Sequence, residues 1–126
     1  MRDARLASAE LGGADLFKAD LQGAVLRGAH LNGTNLAEAN LWGADLTSAD
    51  LREANLRHVM LRYADLKGAK LRGAVLAEAA LLDAQNATAR QLCEAKTLYR
   101  STLAPAMQAE IQEKCPHLLK ELPLRE

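Results

Sequence analysis

The sequence predicts an all-β solenoid, because its leucines recur at an interval that neither regular secondary structure can use. Sixteen leucines stand five residues apart, from Leu6 to Leu81. In an α-helix a step of five residues rotates the side chain by about 500°, so these leucines would spread around the whole cylinder. In a straight strand the odd spacing would place successive leucines on opposite faces. The chain must therefore bend once in each five-residue unit, which returns every leucine to the interior.

Each five-residue unit divides into core, surface and turn positions. Two residues before each leucine stands a small residue, which is alanine in fourteen of the sixteen units. The small residue and the leucine point inward on either side of one outward residue, which is often Asp or Asn. The second residue after the leucine is glycine in seven units, as a tight turn favours. The unit is therefore a short side followed by a corner.

Tandem copies of Ala-(Asp/Asn)-Leu-x-x resemble the pentapeptide repeat family. Ala14-Asp15-Leu16 and Ala39-Asn40-Leu41 are clear copies, and the repeats cover about two thirds of the chain. The resemblance implies a right-handed quadrilateral β-helix with four repeats in each coil. Sixteen units would then form about four coils, each rising about 4.8 Å. Residues twenty apart would stack, and the core is represented by the column Leu16, Leu36, Leu56 and Leu76.

The two ends of the repeat region differ in sequence. The pattern stops after Leu81, and we divide the chain into a repeat β-helix (4–85) and a helical C-terminal cap (86–126). At the other end an in-register unit, Ala4-Arg5-Leu6, stands almost at the start. An open end exposes unpaired backbone groups and apolar side chains. We expect either a preceding segment of a longer protein or a homodimer through the uncapped N-terminal end.

The cap is predicted to contain two short helices. Thr88 and Gln91 have the spacing of a capping box, which predicts a helix to about Ala95. Pro105 suits the first turn of a second helix, and Pro116 would end it. This tail is similar to the helical tail of many bacterial pentapeptide repeat proteins.

Composition excludes several functional classes. The 16 basic and 16 acidic residues give a formal charge of zero, so the chain lacks the basic excess of a nucleic-acid binder. No run of 18 apolar residues is present, so we expect no membrane contact. The two cysteines, Cys93 and Cys115, demand no disulfide framework and are expected to pack as small apolar groups in the cap. These features predict a cytoplasmic protein.

No residue pattern points to catalysis. His30, His58 and His117 lack the spaced partners of a metal site or an activated nucleophile. The Asp and Asn residues recur on every face, so they belong to the repeat rather than to a site. The glycines are distributed one per corner and form no phosphate-binding loop. We predict that the chain is not an enzyme and uses no metal or cofactor.

The outward positions offer one candidate surface for a protein partner. Basic residues follow the leucine in five consecutive units, and they form a belt around the third and fourth coils. Aromatic and basic side chains together suit an acidic partner. The alternative is that the cations only solvate a flat face. The candidate contact residues are Trp42, Arg52, Arg57, Arg62, Tyr63, Lys67 and Arg72.

These observations predict a non-enzymatic protein-interaction or scaffold module that is part of a larger bacterial protein and binds an unidentified protein partner. Two alternatives remain. Some members of the family imitate DNA and modulate DNA gyrase, but that role needs a long acidic rod, and this chain has no net charge. A purely structural spacer would use the same fold with no specific contact.

Overall fold

The computed structural model describes residues 1–121 and consists mainly of stacked coils joined by parallel β-bridges. Within residues 5–85 each bridge joins residues twenty apart, as between Asp45 and Asp65. Each contact is a single-residue bridge, and no longer strand occurs within residues 1–121. Four columns of bridges run along the stack, so every coil has four sides. The columns begin at Arg5, Glu10, Asp15 and Asp20.

The corners of the coil are closed by a turn in each repeat. The Ala14 amide donates to the Leu11 carbonyl at 3.0 Å, and other units repeat this contact. The second turn residue has positive φ, 73° at Gly13 and 63° at Tyr63. Glycine adopts this conformation without steric cost, whereas a residue with a Cβ does not. This conformation explains the glycine preference at the corner.

Hydrogen bonds between coils occupy the backbone along the sides. The Leu26 amide donates to the Asp45 carbonyl at 2.8 Å, and the Asp45 amide donates to the Ala24 carbonyl at 2.9 Å. The Asp45 side chain also accepts from the Thr47 amide at 3.0 Å. This last bond explains the recurrent Asp or Asn, because it satisfies a turn amide that no other coil reaches.

The interior is a column of leucine and alanine side chains. Leu36, Leu56 and Leu76 are fully buried, as predicted for the core column. Leu16, in the first coil, is only partly buried and packs against the same core cluster. The difference arises because coils stack on both sides of the central leucines but on only one side of the first.

Two helices and a 3₁₀ turn follow the repeats: α1 (Ala89–Cys93), α2 (Pro105–Lys114) and the turn Pro116–Leu119. The capping box of α1 is present as predicted. The Thr88 hydroxyl accepts from the Gln91 amide at 3.1 Å, and the Gln91 side chain accepts from the Thr88 amide at 2.8 Å. Residues 122–126 of the predicted cap lie outside the described residues.

Between α1 and α2 the chain rejoins the β-helix, which the sequence analysis did not predict. Leu98 is fully buried and Leu103 partly buried, and both take the inward place of a repeat. Helix α1 replaces one side of the coil and lengthens the separation of bridged residues from twenty to 22. The added bridges pair Val75 with Thr97 and Ala80 with Thr102.

The two cysteines form a disulfide, which contradicts their expected role as separate apolar groups. Cys93 ends α1 and Cys115 follows α2, and their Cα atoms are 5.8 Å apart. Both do pack against the core, as predicted, but as a covalent pair. A separation of 22 residues does not show that α1 and α2 lie side by side, and this packing is what brings the two sulfurs together.

Candidate functional site

Four of the large apolar side chains that are exposed lie at or beside one corner of the coil, in three successive coils. Trp42 and Leu82 stand forty residues apart in the same turn position, with Tyr63 at the next position one coil above Trp42. Met60 lies on the adjoining side, in the coil of Tyr63. Their exposed fractions are 41 % for Trp42, 43 % for Met60, 47 % for Tyr63 and 37 % for Leu82. We call these four residues the aromatic corner.

The two rings of the aromatic corner are in contact. Trp42 and Tyr63 have ring centroids 5.2 Å apart with an interplanar angle of 68°, an edge-to-face arrangement. Gly43 holds the position one coil before Tyr63, with a φ of 67°. The corner therefore presents an ordered aromatic surface on a hydrogen-bonded frame.

Arg62 supports the aromatic pair from within the chain. Its guanidinium lies 5.5 Å from the centre of the Tyr63 ring, and its Nη2 donates to the Asp83 carboxylate at 2.7 Å. This hydrogen bond raises the pKa of Arg62 above its ordinary value. The positive charge is therefore partly balanced by Asp83, and this exposed ion pair lies beside the two rings.

The other predicted contact residues lie at different corners. Arg52 and Arg72 are twenty residues apart and share one corner, whereas Arg57 and Lys67 occupy two others. The structure thus brings Trp42, Arg62 and Tyr63 together and separates the rest of the belt. Consecutive repeats turn to successive corners, so neighbours in sequence are not neighbours on a face.

Arg52 is also engaged by a carboxylate. Its Nε donates to Asp50 Oδ1 at 2.8 Å and its Nη2 to Asp50 Oδ2 at 2.7 Å, a bidentate pair. The side-chain hydrogen bond from Arg52 lowers the pKa of Asp50 from 3.8 to about 2. This pair stabilises one corner of the coil and leaves little of the Arg52 charge for a partner.

A cavity of about 140 Å³ lies where the chain leaves the last coil. Its walls come from the repeats, from α1 and from α2. We call it the end cavity. It was not predicted, because it depends on the exit of the chain from the coil at Pro105 and on the packing of both helices. Lining residues include Leu81, Asp83, Ala87, Leu92, Leu103 and Met107.

Metal-binding and membrane-spanning features are the other kinds of site that a chain of this size could carry. Within residues 1–121, no group of His, Cys, Asp and Glu side chains is placed to hold a metal ion. None of the helices in this range has the length and apolar character of a membrane-spanning segment. The absence of enzymatic activity stays a prediction.

The five-residue unit, the twenty-residue coil and the buried leucine column define a solenoid repeat protein. The family pattern described as pentapeptide repeats matches residues 14–52 and 39–77, with eight copies, and the two matches together span just over half of the chain. The chain therefore belongs to the pentapeptide repeat family. No curated protein matches it.

Several solved structures are similar to this chain. The pentapeptide repeat protein Rfr23 from the cyanobacterium Cyanothece 51142 is 33 % identical, with a TM-score of 0.65 over 79 % of this chain and 64 % of the relative. A pentapeptide repeat protein from Nostoc Pcc 7120 is 34 % identical over 82 % of this chain and 83 % of its own, with a TM-score of 0.45. One from the Arabidopsis thaliana thylakoid lumen is 26 % identical over 69 % and 82 %, with a TM-score of 0.30. The likeness to Rfr23 implies the right-handed quadrilateral β-helix.

Proposed function

We propose that this chain is a non-enzymatic protein-interaction module whose contact surface is the aromatic corner. The observation that carries the proposal is the exposed, ordered Trp42–Tyr63 pair. Single exposed apolar residues are ordinary on a protein surface, but a contiguous group marks a contact site. Trp and Tyr contribute strongly to binding when a partner excludes water from them.

The frame around the corner limits how a partner can bind. Backbone amides along the sides already donate within the β-helix, as the Leu46 amide does to the Asp65 carbonyl at 2.9 Å. A partner strand therefore has few free groups to pair with there, and the contact must come from side chains. A hydrogen-bonded frame loses little conformational entropy on binding, which favours affinity for a given contact area.

The charge distribution favours an apolar contact over the acidic partner first expected. Asp83 engages Arg62, Asp50 engages Arg52, and the remaining basic residues of the belt lie at other corners. The DNA-mimicking alternative receives no support from these charges, because they sum to zero over the chain. Inhibition of DNA gyrase supercoiling by the purified chain would restore that alternative.

The test compares the proteins captured by three forms of the chain from an extract of the producing cells. We expect Trp42→Ala to lose the specific partner, because it removes the larger half of the aromatic pair. Phe17→Ala is the matched control, since Phe17 is also exposed, by 48 %, but lies at another corner. A partner set that Trp42→Ala leaves unchanged would overturn the proposal and favour the spacer.

The assembly of the whole protein is also part of the proposal. We propose that α2 and the turn Pro116–Leu119 cap the last coil and that the module works as a scaffold within a larger bacterial protein. The coverage of Rfr23, 64 % of its length, and the cyanobacterial origin of that relative support this. Pairing of two copies through the first coil stays a proposal, which a solution mass of twice 13.6 kDa would support.

The compartment is proposed from the cysteines. The Cys93–Cys115 disulfide favours an oxidising compartment over the cytoplasm, because cytoplasmic thiols are kept reduced. The test is thiol labelling of the protein recovered from cells without a reductant. We expect no labelling of either cysteine, whereas labelling of both would favour the cytoplasm.

A further inference from the structure

We propose that the end cavity receives one large apolar side chain of the protein partner that contacts the aromatic corner. The inference rests on the proposed function and adds the chemistry of the partner's anchor. Protein–protein interfaces concentrate their binding energy in a few side chains that fill pockets on the other protein.

The cavity arises because one corner is missing from the last coil. Leu103 takes the inward place of the final repeat, but the chain then leaves the coil and begins α2 at Pro105. The turn that would stand above Leu82 and Asp83 is therefore not built. Met107 of α2 and Leu92 of α1 line the resulting space without filling it.

The chemistry of the walls selects an apolar occupant. Among the described residues that line the cavity, Asp83 alone is ionisable, and its carboxylate already accepts from Arg62 at 2.7 Å. The other lining residues are alanine, leucine and methionine, so an apolar side chain gains packing contacts there that a charged side chain does not. The 140 Å³ volume is close to that of an apolar cavity of about 150 Å³ that binds benzene. The end of a Leu, Met or Phe side chain has the matching size and character.

The cavity continues the aromatic corner along the axis of the β-helix. Trp42, Arg62 and Leu82 occupy one column. Asp83 follows Leu82 in the chain, accepts a hydrogen bond from Arg62 and lines the cavity. Adjacent coils are about 4.8 Å apart, so roughly 15 Å separates Trp42 from the cavity. One partner surface of ordinary size, about 800 Å², spans both features. The same partner can therefore cover the rings and insert its anchor.

The first test uses benzene as the ligand and the Met107 methyl NMR signal as the readout. We expect a saturable shift of this signal in the wild type. Ala104→Leu should weaken the benzene affinity about ten-fold, because the added side chain fills the cavity from its wall. Ala109→Leu, on the exposed face of the same helix, should match the wild type. Thermal unfolding checks that each variant is folded, and Ala87→Met fills the cavity from another wall if Ala104→Leu does not fold.

The second test repeats the partner capture with Ala104→Leu and Ala109→Leu. We expect Ala104→Leu alone to lose the partner that Trp42→Ala also loses. If Trp42→Ala loses the partner but Ala104→Leu retains it fully, the proposed function stands and this inference is overturned. Absence of saturable benzene binding would overturn it as well, whatever the capture shows.

Discussion

The first coil and the central coils are built from the same five-residue unit, yet their leucines are buried to different extents. Leu6 and Leu11 remain partly buried, whereas Leu46 and Leu71 are at most 1 % exposed. The central leucines have a coil on each side, and the first ones have a coil on one side only. In a stacked protein the contribution of a residue depends on its neighbouring coils as much as on its own unit.

The comparison predicts its largest effect for leucine truncation. Leu46→Ala should lower the free energy of unfolding by about 3–5 kcal/mol, because it leaves a cavity between two packed coils. Leu11→Ala should cost only about 1–2 kcal/mol, since part of its side chain is already in water. Urea unfolding of both variants measures the difference. Equal losses would show that another chain covers the first coil in solution.

The C-terminal side has a covalent link that the first coil lacks. Replacing both Cys93 and Cys115 by serine should lower the free energy of unfolding by about 2–4 kcal/mol, because the disulfide restrains the 22-residue separation in the unfolded chain. The measurement is urea unfolding with and without reductant. Reductant should destabilise the wild type and leave the double variant unchanged. A wild type insensitive to full reduction would contradict the prediction.

A single side chain also joins α1 to the coil beneath it. The Gln91 amide donates to the Leu66 carbonyl at 2.8 Å and to the Ala69 carbonyl at 3.0 Å. Gln91→Ala should lower the free energy of unfolding by about 1–2 kcal/mol, because the Ala69 carbonyl loses its side-chain donor and the Leu66 carbonyl keeps only the Ala69 amide. Amide hydrogen exchange should also speed up in α1. Gln108→Ala, exposed on α2, is the control and should change neither quantity.

The smallest predicted effect concerns two ion pairs with the same contact distance of 2.7 Å. Arg52–Asp50 has side-chain exposures of 39 % and 11 %, whereas Arg2–Asp20 of the first coil has 64 % and 43 %. The pKa of Asp50 is about 2, below its ordinary 3.8, so its stabilisation is complete above about pH 5 and is lost as the pH falls towards 2.

We therefore expect about 1–2 kcal/mol of the wild-type stability to disappear between pH 5 and pH 2 through Asp50. Arg52→Gln should remove most of the pH dependence that comes from Asp50. Arg2→Gln acts on Asp20 and should remove less of the total pH dependence, because water screens this exposed pair. Unfolding curves across this pH range provide the measurement. An equal effect of the two substitutions would show that burial of the pair does not matter.

The repeat core could be predicted from the sequence because the leucine spacing has one geometric solution. A five-residue step is consistent only with a corner in every unit, and burial of Leu36, Leu56 and Leu76 agrees with that interpretation. The capping box at Thr88 was equally predictable, since all of its groups lie within four residues. Both features depend on local sequence, where spacing translates directly into geometry.

Features that depend on contacts between distant segments were missed. The repeats of Leu98 and Leu103 keep the five-residue spacing, but α1 shifts them out of register, and Lys96 and Ser101 stand where alanine is usual. The five-residue spacing between Leu98 and Leu103 was the one signal in the sequence that could have indicated these two repeats. The pairing of Cys93 with Cys115 depends on how α1 and α2 pack, which spacing along the chain does not encode.

The candidate surface was predicted in part. Trp42 and Arg62 are twenty residues apart, which places them in one column, and Tyr63 follows Arg62 directly at the adjoining position. The basic belt was grouped from consecutive units, although consecutive units point to successive corners. The ion pairs of Arg52 and Arg62 follow from side-chain conformation, which the repeat pattern leaves undetermined.

Because each coil has four sides, the number of residues in the repeat region affects the orientation of its surface residues as well as the length of the rod. Removing twenty residues would shorten the rod by one coil and keep every column aligned. Removing five residues between Trp42 and the last coil would instead rotate everything before the cut by a quarter turn about the rod axis. Trp42 would then no longer share a column with the end cavity, although neither had been altered. The number of repeats between two surface residues therefore determines the angle between them around the rod axis as well as their distance along it.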